Sequence, residues 1–133
     1  MRTEIEQHLA RSEELISVAE DLFAGGHAAD AVSRAYYAMF HAATAVLLRL
    51  NIERASHGAL IAAFGEHVSK PGLMDRKFHR YLLDGFAARS QSDYEPAPET
   101  SADEARETID RAKEFLSAVK NYLLTDARGD TNG

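Results

Sequence analysis

The chain has 133 residues and a formal net charge of −6, which predicts a single acidic domain. Hydrophobic residues make up 45% of the chain and charged residues 27%, as is typical of a globular protein with one core. The absence of cysteine excludes disulfides and thiolate zinc sites and fits a reducing cytoplasm. No stretch approaches the roughly 20 apolar residues of a membrane helix. An acidic chain of this kind needs a local basic patch, or one assembled between subunits, to bind RNA.

The first two predicted helices form an antiparallel pair. Thr3 and Glu6 make a capping box for the first helix, and Gly25-Gly26 ends it. A run without proline or glycine, from about residue 27 to residue 53, is rich in alanine and leucine and predicts the second helix. Because only a short turn separates the two helices, we expect them to pack against each other.

Three further helices follow in the remaining half of the chain. The third is predicted over about 57–68 and the fourth over about 74–90, where Gly85 indicates a close contact with another helix. Two prolines make 92–98 a predicted surface loop. The last helix begins at a second capping box and runs over about 101–125.

These elements predict an all-α fold, an up-and-down bundle of four main helices and one shorter helix. No strand pattern, internal repeat or low-complexity segment interrupts it. The bundle is expected to occupy residues 1–126, and the polar residues 127–133 are expected to form a disordered C-terminal tail.

The second helix carries a row of polar side chains beside its core stripe. A helix turns 100° per residue, so Arg34 and His41, seven residues apart, point in nearly the same direction, with Tyr37 between them. An arginine can bind phosphate oxygens, and a histidine can move a proton at neutral pH. The row therefore predicts a site that binds or cuts a phosphodiester. The alternative is structural: Arg34 pairs with a carboxylate and His41 is an interior histidine.

Two further pairs of residues are candidates for ligand binding. Ser56-His57 opens the third helix, where free N–H groups and an imidazole could hold an anion. The alternative is a capping serine followed by a solvated histidine. Arg89 and Tyr94 could close over a base and a phosphate, or could be a surface arginine and a tyrosine that pins the loop.

The sequence predicts no metal site and no cofactor. Six histidines are present, but no two of them stand four residues apart, and no Glu-x-x-His repeat forms the pair that a di-iron bundle needs. Serine or cysteine nucleophile motifs and phosphate-cradling glycine loops are absent as well.

The stretch Ser-Arg-Ala-Tyr-Tyr-Ala-Met-Phe-His-Ala-Ala at residues 33–43 resembles the HEPN superfamily of small helical domains, most closely its UPF0332-type branch. Supporting similarity lies in Ser56-His57, in residues 89–94 and in the start of the last helix at residues 101–105. The resemblance covers nearly the whole chain.

The resemblance implies a homodimer encoded beside a minimal nucleotidyltransferase, acting as a toxin or an accessory subunit on RNA or a nucleotide. Many HEPN domains are metal-independent RNases with four to six residues between an Arg and a His, and Arg34 and His41 meet this pattern with six residues between them. Carried over, Arg34 would stabilise the phosphate, His41 would be the general acid/base and Tyr37 would orient one of them. Ser33 would line the same site.

Two other interpretations stay open at this point. The chain could be a non-catalytic interaction module whose polar row binds a nucleotide, and the acidic charge and the position of the pair in the second helix favour this. It could also be a dimeric bundle whose polar residues are structural.

Overall fold

The computed structural model describes residues 2–96 and 99–132, apart from the side chains of Ser92 and of residues 126–132. Its elements are α1 (Glu4–Ala24), α2 (Ala28–Arg49), α3 (His57–Phe64), a π-helical turn (Gly65–Ser69), α4 (Lys77–Tyr94) and α5 (Ala102–Asn132). The predicted all-α bundle is confirmed, with α3 as its shorter helix and no strand in the described residues. The last helix continues to Asn132, beyond its predicted end at about residue 125. The predicted disorder of residues 127–133 falls on residues whose side chains are not described and stays a prediction. No helix within the described ranges is both long and apolar enough to cross a membrane.

Side-chain caps begin three helices where the sequence predicts them. Each hydroxyl accepts the backbone N–H three residues further on: Thr3 from Glu6 at 3.1 Å, Ser56 from Ala59 at 3.2 Å and Ser101 from Glu104 at 3.0 Å. Each bond satisfies one of the N–H groups that a helix start leaves without an intrahelical acceptor.

Two residues after the last residue of α1, and likewise of α2, the backbone takes a left-handed conformation. Gly26 has φ 84° and Asn51 has φ 61°. In each case the next N–H bonds to the carbonyl five residues back at 2.8 Å, which closes the helix end. Asparagine tolerates this conformation better than most residues, so the chain can turn at Asn51 without glycine.

Helix α2 is the centre of the bundle, because it contacts α1, α3, α4 and α5. Eleven of its 22 residues are buried, among them alanines at 31, 35, 38, 42 and 45, a spacing that places them on one face. Small side chains let a neighbouring helix approach closely, and α1 does so: the fully buried Ser12 donates its Oγ–H to the carbonyl of Ala38 at 2.7 Å. The first antiparallel pair is therefore held by an alanine face and one buried hydrogen bond.

Gly85 lies where α4 crosses α2, as its position inside a helix predicts. A Cβ atom at this residue would lie 2.9 Å from Met39 Cε and 3.1 Å from Tyr36 Cδ1. Both side chains are almost completely buried and have little room to move. The missing side chain at residue 85 therefore sets how closely the two helices pack.

Gly85→Ala should lower the free energy of unfolding by about 1–2 kcal/mol, because overpacking outweighs the gain in helix propensity. Gly58→Ala is the matched control: Gly58 is also helical, but its Cβ would meet nothing within 4 Å. That change should raise the free energy of unfolding by about 0.5–1 kcal/mol. Urea unfolding of both variants measures the difference, and equal stabilisation by the two changes would refute the close contact.

An ion-pair network joins α1 to α5 on the other side of the bundle. Arg106 donates two hydrogen bonds to Glu20, at 2.7 and 3.1 Å, and Lys113 Nζ lies 2.5 Å from the same carboxylate. These bonds lower the pKa of Glu20 to about 2, against the opposing effect of its partial burial. The carboxylate is consequently ionised at neutral and mildly acidic pH.

The third helix differs from the prediction after Phe64. The α-helix predicted to continue to about Val68 instead widens into the π-helical turn, in which the N–H of Lys70 bonds to the carbonyl of Gly65 at 2.9 Å. Gly65 packs against the ring of His79, where a Cβ would lie only 2.7 Å from Nε2. The turn thus places the backbone of residue 65 directly on α4.

The fourth helix begins and ends later than predicted. It begins at Lys77, whose N–H bonds to the Asp75 carboxylate at 2.9 Å. It continues to Tyr94, so the predicted loop at 92–98 is wrong for its first three residues. Proline restricts only the residue before it, and Glu95 alone takes the extended conformation, with ψ 130°. Pro98 lies outside the described residues.

Candidate functional site

The polar row of α2 lies on the surface side of the helix. Arg34 is exposed, whereas Tyr37 and His41 are half-buried, and the three span about 10 Å along the helix axis. Arg34 forms no hydrogen bond or ion pair with any residue that the structure describes. Ser33 is half-buried at the neighbouring position. The carboxylate partner that the structural alternative required for Arg34 is thus absent from the described residues.

His41 is paired with a second histidine that the sequence did not suggest. Its Nδ1 lies 2.9 Å from Nδ1 of His8 on α1, and the two rings are stacked with centroids 5.2 Å apart. Burial lowers the pKa of His41 to about 4, and the charges of His8 and Arg11 act in the same direction. The imidazole is therefore uncharged at neutral pH.

The Nδ1–Nδ1 contact restricts the tautomers of the pair. A hydrogen bond between two ring nitrogens needs one donor and one acceptor, so one of the two Nδ1 atoms carries the proton and the other does not. When His41 is the donor, its Nε2 has a free lone pair and can accept a proton. The ring is held in one orientation in the same way that a carboxylate orients the histidine of a catalytic triad.

His57 is part of an aromatic cluster and is not the solvated residue of the alternative interpretation. Its Nδ1 lies 2.7 Å from the hydroxyl of Tyr36, and its ring lies 4.5 Å from Phe40 and 5.7 Å from Phe86, centroid to centroid. Burial lowers the pKa of His57, with a smaller effect of the Arg89 charge, and burial raises the pKa of Tyr36. Tyr36 is completely buried in the core, but its hydroxyl has a polar partner.

Arg89 lies beside Tyr37. Its guanidinium carbon is 5.2 Å from the centre of the Tyr37 ring, a cation–π distance. Its Nε lies 2.8 Å from a carboxylate oxygen of Asp93, but the N–H does not point at that oxygen and has no hydrogen-bond partner among the described residues. The contact with Asp93 is therefore ionic and leaves donor capacity at the guanidinium. We call Arg34, Tyr37, His41 and Arg89 the α2 surface.

Ser56 and Tyr94 are placed differently from the other predicted residues. The Ser56 hydroxyl is occupied as the cap of α3, as the alternative for this residue predicts. Tyr94 is the last residue of α4 and is 87% exposed. Its ring makes no aromatic contact with the α2 surface within the described part of the chain. The structure thus brings Tyr37, His57 and Arg89 together and leaves Tyr94 apart.

His8 and Tyr36 are the two contributors that sequence reasoning missed. His8 stands four residues before the fully buried Ser12, so the two side chains lie on the same face of α1. No three histidine, aspartate or glutamate side chains converge into a metal-binding group among the described residues.

Known proteins with similar sequences match over almost the entire bundle. A family profile described as the HEPN domain matches residues 5–122. "Putative toxin MJ0605" of Methanocaldococcus jannaschii is 33% identical over 123 residues, covering 92% of this chain and 91% of that protein. A "UPF0332 protein" of Archaeoglobus fulgidus is 34% identical over 120 residues, covering 90% and 95% of the two chains. The resemblance inferred from residues 33–43 is confirmed, and the chain belongs to the UPF0332 branch of the HEPN domain family.

Proposed function

We propose that this protein is the toxin-like component of a two-component system and that its α2 surface binds RNA or a nucleotide. Similarity to relatives named as toxins supports the toxin-like role. The partner expected from the HEPN resemblance is a minimal nucleotidyltransferase.

The observation that carries the proposal is that Arg34 has no ion-pair or hydrogen-bond partner among the residues that the structure describes. Arg34 stands one helical turn from Tyr37, whose ring is covered by the guanidinium of Arg89. Two cations beside one aromatic ring suit a nucleotide, because guanidinium groups bind phosphate oxygens and bases stack on aromatic and guanidinium planes. Arg34 adds local positive charge to a chain of net charge −6, whereas the charge of Arg89 is shared with Asp93.

A homodimer forms part of the proposal. Bringing two copies of the α2 surface together doubles the local positive charge, which strengthens binding to a phosphate backbone. Sedimentation equilibrium tests the homodimer separately. A monomeric mass at the concentrations used for RNA binding would refute the dimer, but it would leave open RNA binding by the α2 surface of a single chain.

Arg34→Ala should weaken binding of a fluorescein-labelled single-stranded RNA about 10-fold, the effect of losing one charge-assisted hydrogen bond. Arg54→Ala is the matched control, because Arg54 is also exposed and its only described partner is the neighbouring carbonyl of Glu53. Fluorescence anisotropy at fixed salt measures both affinities. Equal affinities for the two variants, or no RNA or ATP binding by the wild type, would contradict the proposal.

A second candidate function is metal-independent RNA cleavage, and the His8–His41 pair favours it. In this reaction the ribose 2′-oxygen bonds to phosphorus, the bond to the 5′-oxygen breaks, and a 2′,3′-cyclic phosphate and a 5′-hydroxyl form. In the tautomer in which His41 donates its Nδ1–H to His8, the free Nε2 of the uncharged His41 accepts the 2′-hydroxyl proton, while a second acid protonates the leaving oxygen. Arg34 stabilises the charge that develops on the phosphate.

A further inference from the structure

A basic depression of about 510 Å³ lies between the π-helical turn and the start of α4. We call it the α4 basin, after Ser69, Lys70, Arg76, Lys77, His79 and Arg80, which line it. The basin shares no residue with the α2 surface. Its cationic lining stands out in an acidic chain, because the 12 residues from 69 to 80 hold four basic side chains and a single carboxylate.

Two of the four basic side chains are free to bind an anion. Lys77 is paired with Glu114 at 2.5 Å, and Arg80 lies 3.8 Å from Asp84. Lys70 and Arg76 are both exposed, and neither forms an ion pair or side-chain hydrogen bond with a described residue. The basin therefore keeps uncompensated positive charge at its rim.

A buried hydroxyl at the wall of the basin has no partner. Ser69 is only 7% exposed, and its Oγ makes no hydrogen bond within the described residues. Buried polar groups are nearly always satisfied, so a native hydroxyl without a partner needs an explanation. A ligand oxygen that accepts a hydrogen bond from the Ser69 hydroxyl would explain it.

The π-helical turn gives the basin a fixed wall. Gly65, at the start of the turn, lies so close to the ring of His79 that a Cβ there would be 2.7 Å from Nε2 and 2.9 Å from Cε1. The imidazole ring of His79 therefore packs directly against the backbone of Gly65. Wide turns of this kind occur often at functional sites, and this one ends at Ser69, the residue with the unsatisfied hydroxyl.

We propose that the α4 basin is a second ligand site, which binds a phosphate group. The Ser69 hydroxyl donates to one phosphate oxygen, and Lys70 and Arg76 bind the others, with the Arg76 guanidinium able to engage two oxygens at once. The phosphate can belong to a free nucleotide or to the backbone of RNA, since the recognising chemistry is the same. The proposal is independent of the α2 surface, because it rests on a separate set of residues.

Titration with ATP and with a fluorescein-labelled oligouridine tests the basin. Arg76→Gln should weaken binding about 10-fold, and with the oligonucleotide it should reduce the slope of log affinity against log salt by about 0.7, the loss of one phosphate contact. Arg54→Gln is the charge-matched control outside the basin. Weakened binding of both probes supports a general phosphate site, and weakened binding of one probe identifies the source of the phosphate.

Ser69→Ala separates a ligand-binding hydroxyl from a structural one. The change removes an unsatisfied buried group, so the thermal midpoint without ligand should stay the same or rise, while phosphate affinity falls about 3-fold or more. A lowered midpoint with unchanged affinity would overturn the proposal, as would equal affinities for Arg76→Gln and Arg54→Gln or no binding of either probe. If Arg34→Ala loses RNA binding while Arg76→Gln and Ser69→Ala keep it, the proposed function stands and the α4 basin is not a ligand site.

Discussion

Lowering the pH from 7 to 5 is expected to reduce the free energy of unfolding by about 2 kcal/mol through His41 alone, rising to about 3 kcal/mol at pH 4. The pKa of His41 is lowered from 6.5 to about 4 in the folded protein. The unfolded chain therefore binds more protons than the folded chain between these two values, and stability falls as the pH falls through this window. His57, whose pKa is also lowered, contributes in the same direction.

Urea unfolding of the wild type and of His41→Gln at pH 7 and pH 5 isolates this effect. Glu20 and Glu114, whose pKa values are also lowered, become protonated only below 4.5, so these carboxylates contribute little in this range. The stability difference between the two pH values should shrink by about 2 kcal/mol in the variant. An unchanged difference would show that His41 is not buried against His8 in the folded protein.

His41→Ala should slow RNA cleavage by about 10²–10⁴-fold if the protein is a nuclease, because this is the contribution of a positioned acid or base. The rate should be insensitive to EDTA, since the 2′-hydroxyl is the nucleophile and His41 moves its proton. Single-turnover cleavage of a labelled RNA measures the effect. His67→Ala is the matched control, because His67 is a half-buried histidine outside the α2 surface, and its described partner is the adjacent Glu66.

In the proposed cleavage reaction His8 would be a positioning residue, and its replacement has a distinct signature. Removing the neighbouring imidazole takes away a group whose charge lowers the pKa of His41, so His8→Ala should raise that pKa. The acidic limb of the pH–rate profile should then move to higher pH, a change that general loss of stability would not produce. Cleavage by His41→Ala at the wild-type rate would exclude the catalytic role and leave ligand binding as the function of the α2 surface.

Most of the fold could be predicted because its signals are local. Thr3, Ser56 and Ser101 cap helices through bonds that span three residues, and such bonds can be read directly from the sequence. The contact at Gly85 could be predicted as well, since glycine inside a helix is unfavourable unless a neighbour needs the space. The loop predicted from residue 92 begins too early, because a proline restricts only the residue before it and leaves the helix free to continue to Tyr94.

The partners of the site residues could not be predicted, because they come from other helices. The pairing of His8 with His41 depends on how α1 lies against α2, and the bond from Tyr36 to His57 depends on where α3 begins. Helical periodicity gives the face of each residue but not the residue that it meets. The charge of the α4 basin is visible in the sequence, whereas the burial of Ser69 follows from the π-helical turn, for which no sequence rule was available.

Photochemical cross-linking tests most directly whether the α2 surface meets RNA. The protein is irradiated with single-stranded RNA that contains 4-thiouridine, digested with trypsin and analysed by mass spectrometry. We predict adducts within residues 35–49, the tryptic peptide that carries Tyr37 and His41. Arg34→Glu removes the cleavage site before this peptide, so its adducts are located by fragmentation within the peptide of residues 12–49, and we predict that they are greatly reduced. Adducts confined to α1 and α5, with none in residues 35–49, would contradict the account.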